Sequence, residues 1–453
     1  KPSFFLLVFY TMSKVKINFK IHHRNSIFNK EIEYFLSFLK FSYQIEFVDQ
    51  NDADYIIYYG YDEIRKPGLY IPDNLLHKIL YINKQGVSFR NKEMFVRELK
   101  LALDPINFSE NSNSLVVIQN DIVTISFCIL SRIEEVEGGS TDLHNRYKIE
   151  NDSVYQSGFY GKPVIDYLLE NMVQKLTQGI GIPFESEYSI ICTHDVDRLK
   201  SYHSFFKSLR TVIGELVKRR NVSRFFSRIY EEFYLFEPWS SLYKLKKIYN
   251  KKNVNVIFMI MGKSHHPSDS EYYLNKMPLL KRFIQHISRC GYEVGLHPGF
   301  LTYNNEKIYK DQRKSIEELC GCRITSTRQH VLKFNICKTP IIAEENGISC
   351  DYTLSFPEVP GFRNGTTRGM NAYNFSKREM LGLKLVSTSI MDLTFHEDKY
   401  AQLGGREFYY AKKLIDECYG FNGKIVFLYH TGFIVHRWHK MYRRFLDYAI
   451  EKS

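Results

Sequence analysis

Seven short apolar runs, rich in β-branched residues, recur between helical segments in the carboxyl-terminal part of the chain. They are Tyr188–Thr193, Val254–Met261, Tyr292–Leu296, Ile324–Gln329, Ile348–Leu354, Leu383–Ile390 and Lys424–Tyr429. Such alternation is typical of a parallel sheet with crossover helices, whose strands are buried on both faces. Seven strand–helix units predict a barrel-like sheet that is closed or nearly closed on itself. An open doubly wound sheet is the alternative.

The length of 453 residues allows two or three domains. We predict a smaller α/β domain at 12–150, a linker helix and connector at 151–187, and the barrel at 188–453. Within the first domain, the apolar runs Leu115–Gln119 and Ile122–Leu130 are predicted to form a strand pair, because two turn-forming residues separate them.

A charged run follows that predicted strand pair. Residues 131–135 read Ser-Arg-Ile-Glu-Glu, and Asp142, His144 and Arg146 come shortly after. We interpret these residues as a charge-paired junction between the two domains. A metal or catalytic cluster is the alternative.

The net charge of +12, with 33 Tyr and 34 Phe, at first suggests nucleic-acid binding. However, Lys and Arg are scattered, and the densest cluster, at 218–228, falls in one helical segment that is expected to be a solvated surface. No helix-turn-helix, zinc-finger or aromatic RNA-binding signature is present in the sequence. We therefore expect no nucleic-acid partner; the charge would instead attract an anionic glycan, a phosphate-bearing carrier or an acidic membrane surface.

The cysteine content and the first residues bear on the compartment. The 8 Cys show no paired zinc-site spacing and are too sparse for a disulfide scaffold, which favours a reducing compartment. The apolar stretch at 4–10 is far shorter than the ~20 residues that cross a bilayer. We expect residues 1–11 to be read-through or a fragment edge, and the protein to be cytoplasmic, with membrane association as an alternative and no transmembrane segment.

Polar residues stand directly after four of the predicted strands. They are the run 193–197 (Thr-His-Asp-Val-Asp), then His297, the run 328–330 (Arg-Gln-His), and His430. In parallel α/β barrels the carboxyl ends of the strands meet at one mouth, where the chemistry takes place. The sequence therefore predicts an active site built from these four strand ends.

The first of these runs carries two carboxylates. Side chains alternate faces along an extended strand, so Asp195 and Asp197 should point the same way, and His194 and Val196 the other way. A divalent cation would relieve the repulsion between the two carboxylates and leave one of them free to act as a base. The alternative is a calcium-like or helix-capping Asp pair.

Imidazole and carboxylate together suit zinc or a similar divalent ion, and a catalytic site keeps three protein ligands with one open position. Asp197, His297 and His330 supply such a set. Water on such a metal has a lowered pKa, and Asp195 could take its proton as the water attacks a carbonyl carbon. His430 could then donate a proton to the leaving amine or alkoxide.

Residues 188–440 resemble the NodB-type polysaccharide deacetylases, carbohydrate esterases built on a distorted seven-unit (β/α) barrel. The run 193–197 is similar to the family's Thr-Phe-Asp-Asp motif with one residue inserted. The run 295–299, Gly-Leu-His-Pro-Gly, matches the first His of the His-Ser/Thr-x-x-His motif, and Leu301 stands where the second His would fall. The run 428–430, Leu-Tyr-His, matches the family's Leu-x-His.

This resemblance implies a distorted (β/α)7 barrel of the polysaccharide deacetylase type, preceded here by a smaller α/β domain. It implies that Asp195 is the catalytic base, that Asp197 binds the metal and that His430 is the general acid. Arg328 stands where the family carries an Arg that steadies the base, and His330 is predicted to replace the lost histidine ligand.

A bacterial subgroup of this superfamily, found among surface-polysaccharide genes, has a separate amino-terminal domain. Its Gly-Phe-Arg-x-Gly-Thr motif is similar to the run 361–366, and Arg363 in that run is predicted to bind substrate. Asp351 and Asp392, at further strand ends, are predicted to contact substrate or to orient other groups, with a structural role as the alternative.

These observations predict a metal-dependent hydrolase acting on carbon–nitrogen (non-peptide) bonds. It would remove an N- or O-linked acetyl group from a sugar or polysaccharide precursor. The expected cofactor is a divalent metal, zinc first. The expected partner is an acetylated sugar, a sugar nucleotide or a lipid-linked glycan. The alternative is a glycan-binding or assembly protein of surface-polysaccharide synthesis that has lost turnover, which the missing motif histidine favours.

Overall fold

The structure is a computed structural model that describes most of the chain. The described residues are 14–62, 67–103, 115–197, 213, 226, 249–250, 253–263, 266–269, 277–396, 406–430 and 436–453. The terminal stretch 1–11 and the basic cluster at 218–228, apart from Phe226, lie outside the described residues, so the predictions made for them stay predictions.

The amino-terminal part is built on a five-stranded parallel sheet with the order β2-β1-β3-β4-β7. Its strands are β1 Val15–Ile21, β2 Ile45–Phe47, β3 Tyr55–Tyr59, β4 Gly68–Ile71 and β7 Leu115–Val117, and a separate hairpin pairs β5 Leu80–Asn83 with β6 Gly86–Phe89. The helices are α1 Asn29–Ser42, α2 Leu76–Ile79, α3 Lys92–Leu103, α4 Ile122–Ser131, α5 Ser153–Gln156 and α6 Val164–Leu176.

One element of this part differs from the prediction. Residues Ile122–Ser131 form the helix α4, so the predicted strand at Ile122–Leu130 is wrong. All ten residues of α4 are buried, and a helix that is apolar on every side shows no 3.6-residue periodicity. The sequence did carry one helix signal, because the Asp121 carboxylate caps the first turn by accepting a hydrogen bond from the Thr124 backbone N–H at 3.0 Å.

The carboxyl-terminal part is built on a nine-stranded sheet with the order β13-β14-β12-β11-β10-β9-β8-β16-β15, parallel except for the β13–β14 pair. Its strands are β8 Ser189–Val196, β9 Val254–Met261, β10 Glu293–His297, β11 Ser326–Thr327, β12 Cys350–Asp351, β13 Met370–Asn374, β14 Glu379–Leu385, β15 Ile390–Met391 and β16 Lys424–Leu428. The helices are α7 Met277–Arg289, α8 Glu306–Cys320, α9 Thr339–Glu345, α10 Asp392–His396, α11 Glu407–Gly420 and α12 His436–Lys452. Six of the seven predicted strands are present, and two of them, β11 and β12, are much shorter than predicted. The predicted strand Leu383–Ile390 is wrong as a single element, because β14 ends at Leu385 and β15 begins only at Ile390.

The large sheet curves back on itself at one bent segment of chain. Strand β14 pairs with β12, where Leu385 lies beside Asp351, and strand β15 pairs with β16, where Ile390 lies beside Phe427. Only residues 386–389 separate these two strands, so the opposite ends of the strand order are joined through a short covalent link. The predicted distorted barrel is thereby confirmed, and the open doubly wound alternative is wrong.

A buried ionic network joins the amino-terminal part to the barrel. Arg132, fully buried, lies 2.7 Å from Asp152 Oδ2 and donates from Nη1 to the backbone oxygen of Arg363 at 2.7 Å. Arg363 in turn pairs with Glu135 at 2.9 Å. The interpretation of the run 131–135 as a charge-paired junction is therefore confirmed. One buried apolar cluster also extends from the first sheet to α12, so the two parts share a core.

Within the part of the chain that the structure describes, no helix has both the length and the apolar character that crossing a membrane requires.

Candidate metal centre

The candidate site lies at the carboxyl ends of neighbouring strands of the large sheet. Asp195 is near the end of β8 and Asp197 follows it, His297 ends β10, Arg328 follows β11, and His430 comes two residues after β16. Because these strands are parallel and adjacent, their carboxyl ends open on the same mouth. The predicted convergence of four strand ends is observed.

The two carboxylates at the end of β8 face the same side, as the strand alternation predicts. Asp197 Oδ1 lies 3.3 Å and Asp195 Oδ2 lies 3.8 Å from the same atom, His297 Nε2. His194 faces away, where its ring stacks on Phe258 and its Nε2 lies 2.8 Å from the Tyr249 hydroxyl. Burial lowers the pKa of His194 to about 3, so it is a neutral core histidine.

Three side chains place one candidate ligand atom each close together. Asp197 Oδ1 is 3.3 Å from His297 Nε2 and 4.0 Å from His330 Nε2, and the three ligand atoms all lie within 4.8 Å of one another. Two ligands at bond lengths of 2.0–2.1 Å around a tetrahedral ion are about 3.3 Å apart. Asp197, His297 and His330 thus form a candidate metal-binding triad. His330 is thus a member of the candidate triad, whereas Leu301, which stands at the position of the missing motif histidine, is 46% exposed.

Each imidazole of the triad is oriented through its other nitrogen. His297 Nδ1 lies 2.6 Å from the backbone oxygen of Arg328, and His330 Nδ1 lies 2.8 Å from Asp269 Oδ1. These contacts favour a proton on Nδ1 and leave the Nε2 lone pair for a cation, which is the usual arrangement of metal-bound histidine. The sequence analysis missed Asp269, because this residue belongs to no strand end or motif and meets His330 only through the fold.

The electrostatics of the triad also fit a cation. Asp197 Oδ1 is buried and accepts no well-directed hydrogen bond, although His297 Nε2 is near. Burial would raise the pKa of Asp197, but His297, His430 and His330 hold it well below its usual value, so this carboxylate is ionised. Burial lowers the pKa of His297, and Asp195 and Asp197 outweigh that effect and raise it. The same negative field attracts a metal ion.

Asp195 is held by a buried arginine. Arg328 Nη1 donates to Asp195 Oδ1 at 2.9 Å, and the same guanidinium donates to Tyr352 O and to Thr388 Oγ1. Burial raises the pKa of Asp195, but Arg328 and then His297 outweigh it, so the net pKa is lowered. Asp195 is therefore an ionised carboxylate in a fixed orientation, as the predicted role of Arg328 requires.

His430 stands across the mouth from these groups. Its Nε2 lies 4.0 Å from Asp197 Oδ2, and its Nδ1 lies 2.8 Å from Asp392 Oδ1. Burial lowers the pKa of His430, but Asp392 outweighs that effect and the pKa rises to about 10. The imidazole therefore carries a proton at neutral pH. Asp392, which the sequence suggested as a substrate or orienting group, orients His430.

The two other predicted substrate contacts are buried and bind groups of the protein. Arg363 is 3% exposed, and its guanidinium binds Glu135 and the backbone oxygen of Ser355 in the junction. Asp351 is fully buried on β12 and accepts a hydrogen bond from the Thr353 N–H at 2.7 Å. The contacts of Asp351 fit the structural role that was its alternative, and those of Arg363 belong to the junction. Neither residue is therefore included in the candidate site.

Comparison with known proteins describes the two parts of the chain separately. Residues 20–180 match a family described as "Family of unknown function (DUF7033)", a match that ends before the barrel. No functionally curated protein matches the sequence significantly.

Among solved structures, the chain is similar at low identity to polysaccharide deacetylases. A candidate polysaccharide deacetylase from Mycobacterium smegmatis is 15% identical with a TM-score of 0.35, over 58% of this chain and 83% of that chain. The polysaccharide deacetylase of Bacillus cereus is 13% identical with a TM-score of 0.29, over 58% of this chain and 88% of that chain. A mutant of a CE4 family pseudoenzyme with restored enzymatic activity is 12% identical with a TM-score of 0.24, over 53% and 65% of the two chains.

Proposed function

We propose that this protein is a metal-dependent hydrolase that removes an acetyl group, N- or O-linked, from a sugar or polysaccharide precursor. The observation that carries the proposal is the meeting of a candidate metal triad with an ionised carboxylate and a protonated imidazole at one mouth. Asp195 Oδ2 lies 3.8 Å from the triad atom His297 Nε2, and His430 Nε2 lies 4.0 Å from Asp197 Oδ2. Metal-assisted hydrolysis of an acyl group uses a metal ion, a general base and a general acid together.

Asp197, His297 and His330 would hold the ion, for which zinc is the first candidate because its donors here are one carboxylate and two imidazoles. When bound, a divalent ion acts as a Lewis acid on the acetyl oxygen and lowers the pKa of a water molecule. The second carboxylate of the pair, Asp195, is then left to act as the base.

The proton transfers follow from the charge states of the side chains. Hydrolysis adds the hydroxyl of water to the acetyl carbon, breaks the bond from that carbon to nitrogen or oxygen, and releases acetate. Asp195, ionised and held by Arg328, accepts the proton of the attacking water. His430, protonated and held by Asp392, donates a proton to the leaving amine or alkoxide.

The charge of the chain bears on the class of substrate. The formal charge of +12 favours a substrate with an anionic group, such as a sugar nucleotide or a lipid-linked glycan phosphate. We do not propose nucleic acid as a substrate or partner. The alternative, a glycan-binding protein without turnover, was motivated by the missing second motif histidine. The position of His330 beside Asp197 weakens that motivation.

Acetate release and metal content measured on the same preparations test the proposal. The full chain is assayed against N-acetylated sugar nucleotides, lipid-linked sugars and oligosaccharides. Asp195→Asn should abolish acetate release with metal retained, and His297→Ala should lose both. Asp447→Asn, a change at a half-exposed carboxylate on α12, is the matched control. Glycan affinity that survives Asp195→Asn, with no acetate released by the wild type, would favour the binding protein instead. Absence of both bound metal and acetate release would exclude the hydrolase.

A further inference from the structure

The candidate ligand His330 begins a backbone turn of unusual conformation. The two residues after it, Val331 and Leu332, have φ of 52° and 56°. Left-handed backbone is uncommon for residues other than glycine, and for a β-branched valine it is an outlier. Such conformations persist only where surrounding contacts hold them, and they concentrate at functional sites.

Contacts from two parts of the chain hold this turn. Within the barrel, the His330 N–H donates to Pro298 O at 2.9 Å and the Leu332 N–H donates to Gln329 O at 3.0 Å. The Val331 carbonyl accepts a hydrogen bond from Arg146 Nη1 at 3.0 Å. Arg146 precedes the barrel by more than forty residues. The amino-terminal region thus reaches the residue that follows a candidate metal ligand.

Arg146 is itself fixed within the loop 140–148. Its Nε and Nη2 both lie 2.6 Å from Asp142 Oδ2. The other oxygen of that carboxylate accepts hydrogen bonds from the backbone N–H groups of His144 and Arg146 at 2.8 and 2.9 Å. A bridge between Thr141 and Tyr147 closes the loop. The loop therefore holds the Arg146 guanidinium in a fixed position, from which it donates to Val331 O.

The same loop also meets the segment that follows the other histidine ligand. The His144 ring lies edge-on to the Phe300 ring, with centroids 6.2 Å apart. The Phe300 N–H donates to Asp269 Oδ1, the oxygen that contacts His330 Nδ1. The loop 140–148 thus lies against both chain segments that carry histidine ligands of the triad.

We propose that Arg146 is a positioning residue for His330, so that the amino-terminal region completes the metal centre of the barrel. This inference rests on the metal site of the proposed function and not on the identity of the substrate. It gives the amino-terminal region a defined part in the chemistry of the barrel: its loop holds the left-handed turn that aims His330 Nε2 at Asp197.

The test compares Arg146→Ala, Arg146→Lys and Arg97→Ala in the full chain. Arg97 is a matched control, because it lies in the same region, on α3, is 67% exposed and pairs with its chain neighbour Glu98. Zinc affinity is measured by competition with a chelator, and the visible spectrum of the cobalt-loaded protein reports ligand geometry. Arg146→Ala should lower zinc affinity about 10-fold, the low end for a residue outside the ligand shell, and should change the cobalt spectrum. Arg146→Lys keeps a donor for Val331 O and should restore part of the affinity, while Arg97→Ala should match the wild type.

Several results would overturn the proposal. One is an Arg146→Ala protein with the zinc affinity and cobalt spectrum of Arg97→Ala. Another is an unchanged cobalt spectrum with a lowered thermal midpoint of the metal-free protein, which would make Arg146 a purely structural residue. If Arg146→Ala does not fold, Arg146→Lys decides by the same two readouts. A wild type that binds no metal would overturn both this inference and the proposed function. A metal-binding, acetate-releasing wild type with an unaffected Arg146→Ala would overturn this inference alone.

Discussion

The Asp392 carboxylate contacts His430 through both of its oxygens. His430 Nδ1 lies 2.8 Å from Oδ1, and the His430 backbone N–H donates to Oδ2 at 2.7 Å. Backbone and ring are thus fixed by one group, and Nε2 is left to face the mouth. A carboxylate that binds one imidazole nitrogen sets the tautomer, the orientation and the charge of the ring.

Asp392→Asn should therefore reduce turnover without removing the metal. The amide cannot stabilise the imidazolium as a carboxylate does, so kcat should fall at least about 100-fold, the usual contribution of a general acid. Acetate release and zinc content, measured beside Asp447→Asn, check this. Turnover equal to that of the control would show that His430 is not the acid.

Asp269→Asn should weaken metal binding while the chain stays folded. Asn keeps an acceptor for the Phe300 N–H but removes the negative charge beside His330 Nδ1. Changes of this kind usually cost 10–100-fold in metal affinity. Zinc titration in competition with a chelator measures the effect, and His330→Ala, which deletes the ligand itself, should cost more. An affinity equal to that of wild type would contradict the orienting role of Asp269.

Arg132→Ala should strongly destabilise the whole chain. Arg132 is fully buried among Glu134, Glu135 and Asp152, so its removal leaves carboxylates buried without their cation. Breaking a buried ion pair from one side costs about 3–5 kcal/mol. Urea unfolding should show this loss in the free energy of unfolding, while the surface change Arg97→Ala should stay within about 0.5 kcal/mol of wild type. A loss below about 1 kcal/mol would mean that water reaches the junction.

Asp351 should make the protein less stable as the pH rises. Burial raises the pKa of Asp351 from 3.8 to about 6 in the folded chain. The stability that this group contributes is present below pH 3.8 and is lost as the pH rises through 6, because the folded state then has to bury a charge.

Asp351→Asn should therefore raise the free energy of unfolding by roughly 3 kcal/mol at pH 7.5 and by little at pH 4. Urea unfolding of wild type and variant at both pH values measures the difference. A difference that is the same at both pH values would show that Asp351 titrates normally.

Much of the candidate site is predictable from the sequence because it depends on local rules. The spacing of Asp195 and Asp197 puts two carboxylates on one face of any strand, and His297 and His430 follow short apolar runs whose alternation with helical segments predicts strands of a buried sheet. By contrast, the helix at Ile122–Ser131 is buried on every side, so its sequence lacks the periodicity that separates helix from strand.

The roles of three residues cannot be predicted from local sequence rules: Asp269, Arg146 and Arg363. The role of each is set by a partner far along the chain: His330 for Asp269, Val331 for Arg146 and Glu135 for Arg363. The amino-acid sequence alone predicts the types of the chemistry-bearing residues and their places at the ends of strands, because periodicity and strand ends are local properties. The tertiary structure brings the predicted ligand His330 to 4.0 Å from Asp197 Oδ1. It also sets the contacts of Asp269 with His330, of Arg146 with Val331 and of Arg363 with Glu135. Those contacts depend on how the sheet closes and how the two parts pack.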